Sequence, residues 1–417
     1  MGAMDCRGVE GLSYREEIAM LATRYLANNY ERILDRVFVR AEGSWMFDST
    51  GRRYLDFVSC YSALNVGHGH PKIKQAIIEA AIRGLYAQPQ TFLNEWTPKC
   101  AEKICQLTGM DKVVFKNGGT EAVEAAMKIA RKWGYLRKDI RNNQAEIIFC
   151  RNNFHGRTLG ALAASTTAQY RDLFGPHLVG IHWTTLGDIE ELERAIWSNV
   201  AAFIFEPIQG EGGIIVPPAG YLRQVRALCD KHNVLMIADE IQTGFGRTGK
   251  MFACDWEDVR PDIYILGKAL GGGIAISAVA GKEFAMDVLV PKDDGSTFGG
   301  SPFASAVALA AMGIIEEESL ALKAAVSGAY LVSKLNWIAK RSKFIKEIRG
   351  RGLLLGIELA EGAPPAKRIM RELLDLGVIV NDTKPHVIRI APPLNISLKD
   401  LGFGIECLDK VFTKTNW

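Results

Sequence analysis

This chain lacks any excess of one charge: across its 417 residues, 50 Lys and Arg face 47 Asp and Glu, a formal net charge of +3. So slight an imbalance leaves no electrostatic footprint for nucleic acid or for an anionic membrane surface. Long apolar runs are missing too. The longest nearly apolar stretch, Phe303 to Ile315, is about 13 residues and contains Ser305 and Gly313, well short of a bilayer span. Cysteine is sparse, with eight residues (Cys6, Cys60, Cys100, Cys105, Cys150, Cys229, Cys254, Cys407) and no CxxC spacing. That excludes a disulfide scaffold and a zinc ribbon, and it implies idle thiols in a reducing cytoplasm. The segment Met1 to Glu10 is acidic and has no apolar centre, so no signal peptide is expected there. No repeat and no Pro/Ser-rich linker divides the sequence. What is present is 48% hydrophobic and 23% charged residues, an ordinary globular balance. A soluble, intracellular protein of enzyme size is the expectation, and composition is silent on its chemistry.

The length exceeds what one core usually supports. Short apolar runs recur at Val113–Phe115, Glu146–Phe149, Ala201–Phe205, Val234–Ala238 and Ile263–Leu266. Between them lie amphipathic stretches such as Glu121–Lys132, Ile189–Trp197 and Tyr221–Lys231. Strands alternating with helices predict an α/β fold with a mostly parallel central sheet. The expected large domain covers residues 71–302. The flanks read differently: a helix over Tyr14–Tyr30, a hairpin over Ser44–Asp48 and Tyr54–Val58, then long helices after residue 303 with strands at Gly350–Leu359 and Val387–Ala391. Residues 1–70 and 303–417 are expected to join as a smaller α+β domain built from both chain ends.

Ligands of parallel sheets bind beyond the carboxyl ends of the strands. After Val113–Phe115 comes Lys116-Asn-Gly-Gly-Thr120 and a helical pattern, where glycines and a helix N-terminus suit a phosphate. Alone it is an ordinary βα turn. After Val234–Ala238 stands Asp239, by itself as good a helix cap as a ligand for a cation. After Ile263–Leu266 stands Lys268, a cation leaving a buried strand among glycines, where burial favours nucleophilic use. An amine, an acid and a phosphate seat together are what pyridoxal 5′-phosphate requires.

Two other motifs compete. Gly244-Phe-Gly-Arg-Thr-Gly249-Lys250 has the phosphate-loop spacing, but Met251 replaces the magnesium-binding hydroxyl and the strand before it is its own supposed partner strand. His68 and His70 near Asp56 suggest a metal, yet the segment reads better as a turn, and no metal is expected.

At this point the sequence resembles the class III (subgroup II) aminotransferases of fold type I, over about residues 25–415. The resemblance rests on Asn117-Gly-Gly-Thr-Glu-Ala, Asn153-Phe-His-Gly-Arg-Thr-Leu, Phe205-Glu-Pro-Ile-Gln-Gly-Glu-Gly-Gly and Asp239-Glu-Ile-Gln-Thr-Gly-Phe-Gly-Arg-Thr-Gly. Gly267-Lys-Ala-Leu-Gly-Gly-Gly, Gly295-Ser-Thr-Phe-Gly-Gly and Ile388-Arg-Ile-Ala-Pro-Pro-Leu complete it. Within that class Ser59-Cys-Tyr61, Asn28-Asn-Tyr30, Arg131-Lys-Trp-Gly-Tyr135 and Asp255-Trp-Glu-Asp are similar to the ornithine δ-aminotransferase group. Two departures stand out. Gly271-Gly-Gly-Ile-Ala replaces a common Tyr-Pro, and Asp294 replaces a common His.

The resemblance implies a role for each matching residue. Lys268 would carry the cofactor and move the proton between the donor carbon and C4′. Asp239 would keep the pyridine nitrogen protonated. Phe154 would stack on the ring, Gln242 would reach the phenolic oxygen, and Gly119 with Thr120 would bind the phosphate. Thr297 would complete that site from a neighbouring subunit, so a homodimer with active sites at its interface is implied. Arg157 would grip an α-carboxylate and Arg389 the distal carboxylate of 2-oxoglutarate, with Glu211 pairing Arg389 when the amino donor is bound. Tyr30 and Tyr61 would hold the α-amino acid end of L-ornithine. The implied activity moves its δ-amino group to 2-oxoglutarate in a ping-pong cycle, giving glutamate 5-semialdehyde and glutamate. N-acetylornithine, lysine or another ω-amine remain alternative donors, and an amino acid racemase remains an alternative reaction. Without the resemblance, Glu211 and Arg389 would read as a structural ion pair, and the tyrosines as interface packing.

Overall fold

The computed structural model describes residues 12–414; Cys6 and the reading of Met1–Glu10 lie outside them. The helix Tyr14–Tyr25 opens on a capping box in which Ser13 and Glu16 satisfy each other's backbone amides. It stops at Tyr25, short of the expected Tyr30, which therefore sits on a loop. β1 (Phe38–Glu42), β2 (Trp45–Asp48) and β3 (Arg53–Asp56) follow as an antiparallel meander.

Seven strands make the central sheet: β4 (Lys112–Lys116), β5 (Glu146–Cys150), β6 (Ile181–Thr184), β7 (Val200–Phe205), β8 (Leu235–Asp239), β9 (Ile263–Leu266) and β10 (Ser277–Gly281). Their order is β4-β10-β9-β8-β7-β5-β6. The sheet is parallel from β9 to β6, and β10 runs antiparallel to both β4 and β9. Two reversals bring β4 back into the direction of β9, so β4, β8 and β9 all end at one edge. Every residue of β7 and β8 is buried, as expected for strands covered on both faces.

The helix Gly119–Arg137 lies on one face and buries Ala122, Val123, Ala125, Ala126 and Ala130. Small side chains let it settle close to the sheet; a methyl group on Gly134 would come within 2.9 Å of Ala201 Cβ. The apolar stretch Phe303–Ile315 lies within the helix Pro302–Glu317, packed into the core on the other face. Among the described residues no helix is long and apolar enough to cross a membrane.

β11 (Ile345–Arg351), β12 (Leu354–Leu359), β13 (Val378–Ile379), β14 (Asn381–Lys384) and β15 (Val387–Ile390) complete the fold. The expected single strand Gly350–Leu359 is instead the turn and second arm of the β11–β12 hairpin. Gly350 and Gly352 take φ of +129° and +56° there, which reverses the chain. β13 pairs in parallel with β3, and Ala391 N–H donates to Phe57 O at 2.7 Å. The two chain ends thus meet beside the strand-end edge of the central sheet.

Candidate active site

The ends of β4, β8 and β9 open into a cavity of about 390 Å³ lined by Gly119, Thr120, Phe154, Arg157, Asp239, Gln242 and Lys268, with Tyr30 at its mouth. That volume suits a cofactor-sized ligand. Lys268 follows β9 and is half-buried, with backbone φ of +45°, a strained value for a side chain of this size. Its amine makes no hydrogen bond or ion pair among the described residues. Burial, and then the nearby Arg389 guanidinium, pull its pKa below the usual lysine value. An amine held there is readier to act as a nucleophile.

Asp239 ends β8 and is 4% exposed. Its Oδ1 accepts from Ile241 N–H at 3.1 Å, and its Oδ2 meets His155 Nδ1 at 2.6 Å. His155 is fully buried. Burial opposes its protonation, but the bond to Asp239 and the nearby Glu206 outweigh that and hold its pKa above the usual value. Its Nε2 has no partner among the described residues. Glu206, at the end of β7, accepts from Phe154 N–H at 3.0 Å and Gly210 N–H at 3.1 Å. Burial pushes its carboxyl up to about 7.

The phosphate seat is the head of the helix Gly119–Arg137, where Thr120 Oγ1 lies 2.9 Å from Thr158 Oγ1. Open space surrounds Gly118, while Gly156, at φ +124°, leaves no room for a Cβ because Thr120 Oγ1 would stand 2.2 Å away. Arg157 is exposed and makes no ion pair among the described residues; its guanidinium sits 4.0 Å over the Tyr170 ring and 5.6 Å from the Phe154 ring. It is free to take a carboxylate.

Tyr61 and Glu211 line a neighbouring cavity of about 390 Å³ together with Glu31, Asn381 and Asp382. The two cavities adjoin at Gln242, whose Nε2 lies 3.5 Å from Tyr61 O. Beside Tyr61 stands Arg389 on β15, with 0% side-chain exposure. Its Nη1 donates to Glu211 Oε1 at 2.6 Å, its Cζ is 5.4 Å from the Tyr61 ring, and its Nη2 has no partner among the described residues. Thr297 is different: it is exposed on the loop after Asp294 and does not line the cavity of its own chain. Asp294 is tied to Lys116 and Lys128, each at 2.9 Å.

The competing motifs dissolve. In Gly244–Lys250, Phe245 and Arg247 are buried and the exposed Lys250 lies 5.8 Å from the Trp256 ring, away from the cavity. His68 pairs with Asp56 at 2.7 Å, whereas His70 caps the helix Pro71–Ile82 and meets Glu318 at 2.9 Å. Among the described residues no group of three or more His, Cys, Asp or Glu is placed to hold a metal.

His155 and Glu206 were not singled out from the sequence. Both lie in segments that were, Asn153–Leu159 and Phe205–Gly213, but nothing there tells which way the imidazole turns.

The residues fit a flat pyridine carrying a phosphate. An unpartnered amine, a buried carboxylate backed by an imidazole, an aromatic face at Phe154 and an open helix head line one cavity. Arg389 Nη2 adds a buried donor with no partner among the described residues.

The family model for class-III aminotransferases matches residues 25–412. The chain is 48% identical to an ornithine aminotransferase of Geobacillus sp. (strain WCH70) over 402 residues, 96% of this chain and 99% of that protein. It is 47% identical to an ornithine aminotransferase of Bacillus subtilis (strain 168), covering 96% of this chain and 98% of that one. In structure it is similar to an ornithine aminotransferase of Toxoplasma gondii ME49, with TM-score 0.94, 39% identity and 96% of both chains covered. An acetylornithine aminotransferase of Elizabethkingia anophelis gives TM-score 0.87 at 39% identity, covering 96% of this chain and 99% of that one.

Proposed function

The chain belongs to the class-III aminotransferases, and we propose that it transfers the δ-amino group of L-ornithine to 2-oxoglutarate. The products are glutamate 5-semialdehyde and glutamate. Pyridoxal 5′-phosphate is the family's cofactor, and when bound it supplies an electron sink that stabilises negative charge on the donor carbon.

The chain's own residues do the rest. Lys268 holds the cofactor and carries the proton to and from the donor carbon; its lowered pKa keeps a neutral fraction available as base. Asp239, oriented by His155, holds a proton on the pyridine nitrogen. Phe154 and Gln242 fix the ring, and Gly119 with Thr120 anchors the phosphate through the helix head. Arg157 receives the α-carboxylate of 2-oxoglutarate, while Tyr30 and Tyr61 hold the α-amino acid end of ornithine.

The observation that carries the substrate reading is the Glu211–Arg389 pair at 2.6 Å beside Tyr61. Closed, it presents a neutral wall to a donor whose far end is zwitterionic. Opened, it exposes a buried guanidinium to a dicarboxylate. One site thereby serves two partners of different charge.

Thr297, exposed beside Phe298 at 60% exposure, supports a homodimer in which this loop completes the partner's phosphate site. Both chain ends, joined through β3 and β13, act as a smaller domain framing residues 71–302. The cysteines described are all free thiols, in keeping with a cytoplasmic setting.

The test is a panel of amino donors with 2-oxoglutarate, trapping any cyclised pyrroline product. Turnover of ornithine is expected. Turnover of acetylornithine without ornithine would overturn the donor, and turnover of a single amino acid without any 2-oxo acid would reveal a racemase.

A further inference from the structure

The loop that follows Asp239 contains a buried cation that pairs with no acid among the described residues. Arg247 is 0% exposed and forms no ion pair among the described residues. Burial brings its pKa down to about 9, against the pull of Asp56 and helped by a smaller repulsion from Arg389. Placing a lone guanidinium in a core is unfavourable unless its donors are satisfied. Four of its hydrogen bonds are made, and they reach two distant parts of the chain. Nη2 donates to Ser59 Oγ at 3.0 Å and Asn65 Oδ1 at 2.6 Å. Nη1 donates to Leu353 O at 2.9 Å and Pro392 O at 2.6 Å. Ser59 Oγ in turn donates to Ala391 O at 2.7 Å, and Asn65 Nδ2 to Phe245 O at 2.9 Å.

These anchor points are not arbitrary. Ser59 begins a run of four non-glycine residues in the left-handed region: Ser59, Cys60, Tyr61 and Ser62 take φ of +44°, +48°, +58° and +73°. Left-handed backbone costs about 1–2 kcal/mol per residue for an L-amino acid, so such a run persists only where its surroundings impose it. The run presents Tyr61. The other anchor, Ala391-Pro392, directly follows the strand carrying Arg389. One guanidinium therefore fixes the two segments that bring Tyr61 and Arg389 to 5.4 Å.

We propose that Arg247 is a positioning residue for donor specificity: by clamping Ser59, Asn65 and Pro392 it holds the Tyr61 turn against Arg389, and so sets recognition of the α-amino acid end of an ω-diamino acid. The inference rests on the roles proposed for Tyr61 and Arg389. It needs no contact between Arg247 and substrate.

The experiment compares L-ornithine with n-pentylamine, which has an ω-amine and no α-amino acid end, as donors to the holoenzyme. The variants are Ser59→Ala, Arg247→Lys and, as reference, Tyr61→Ile. Ser59→Ala removes one anchor and leaves Arg247 three acceptors, so it reports even where Arg247→Lys does not fold. Ser59→Ala is expected to lower kcat/KM for ornithine about tenfold, the scale of one hydrogen bond to a charged group, mainly through KM. Its kcat/KM for n-pentylamine and the absorbance of the bound cofactor should stay within about twofold of wild type on the same scale. Equal loss on both donors would make Arg247 merely structural and overturn the proposal, as would no loss on either. If Tyr61→Ile separates the donors and the other two variants do not, the clamp alone is wrong. If Tyr61→Ile does not separate them, the role given to Tyr61 is wrong and the clamp falls with it.

Discussion

Glu211→Gln tests whether the pair at the centre of the site is a switch or a strut. The substitution keeps an oxygen that can accept from Arg389 and removes only the charge. Breaking a fully buried ion pair by removing one partner costs about 3–5 kcal/mol. Glu211 keeps 23% of its side chain exposed to the cavity, against 0% for Arg389, so screening lowers that figure. The appropriate range is about 1.5–3 kcal/mol, that of a hydrogen bond between charged groups. It corresponds to roughly tenfold to hundredfold in a rate or binding constant. The two half-reactions should respond in opposite directions. With ornithine, the unneutralised guanidinium faces a donor whose reacting end arrives as a cation, and kcat/KM should fall by that factor. With 2-oxoglutarate, the distal carboxylate no longer has to displace Glu211, and KM should drop. The assay follows each half-reaction separately by stopped-flow absorbance of the bound cofactor. An equal fall in both would refute the reasoning and reduce the pair to a structural contact.

Two further outcomes are expected. Lys268→Met should abolish transamination yet raise the melting temperature of the cofactor-free protein near neutral pH, because it removes a buried amine whose pKa is held below its unfolded value. Between those two values the unfolded state binds more protons, so wild-type stability rises with pH and the variant's advantage should shrink in melts taken towards pH 10; a constant advantage would contradict this. Gly156→Ala forces a Cβ to within 2.2 Å of Thr120 Oγ1 at φ +124°, so titration of the cofactor-free protein with pyridoxal 5′-phosphate should show weaker binding by about tenfold or more, and unchanged affinity would detach Thr120 from the phosphate.

Legibility from sequence followed the range of the forces involved. The runs at Val200–Phe205 and Leu235–Asp239 announce themselves because a strand buried on both faces has to be apolar throughout. β10 escaped because Ser277-Ala-Val-Ala-Gly281 offers small residues and no bulky β-branched run, its burial being decided by the neighbours it pairs with. Lys268 and Asp239 were legible because their oddity is local: each is an ionisable residue at the end of an apolar strand. His155 was not. Its partner Asp239 lies 84 positions away on β8, with β7 between that strand and β5, so the contact exists only once the strand order is known. Glu206 is hidden for the same reason, 52 positions from the amide of Phe154 that it accepts from. Arg247 reads in sequence as one more residue of a glycine-rich loop, since its acceptors come from both chain ends.

Several unfavourable features of this fold border the cavity where its chemistry is expected. Lys268 has a strained backbone, Ser59 to Ser62 form a left-handed run, and Glu206 is pushed up to about 7. His155 Nε2 and Arg389 Nη2 are buried donors or acceptors with nothing to bind. Each such feature costs on the order of 1–3 kcal/mol, a sizeable share of a marginally stable fold. Other left-handed residues and unpartnered buried atoms, among them Asn233, Asp258, Tyr221 Oη and His232 Nε2, lie elsewhere in the fold, so strain alone does not mark the site. A dicarboxylate would satisfy Arg389 Nη2, and a bound cofactor would engage the unpartnered amine of Lys268. Ligand binding therefore supplies interactions that folding leaves unmade. By that reasoning the cofactor and the acceptor stabilise this protein as well as react in it.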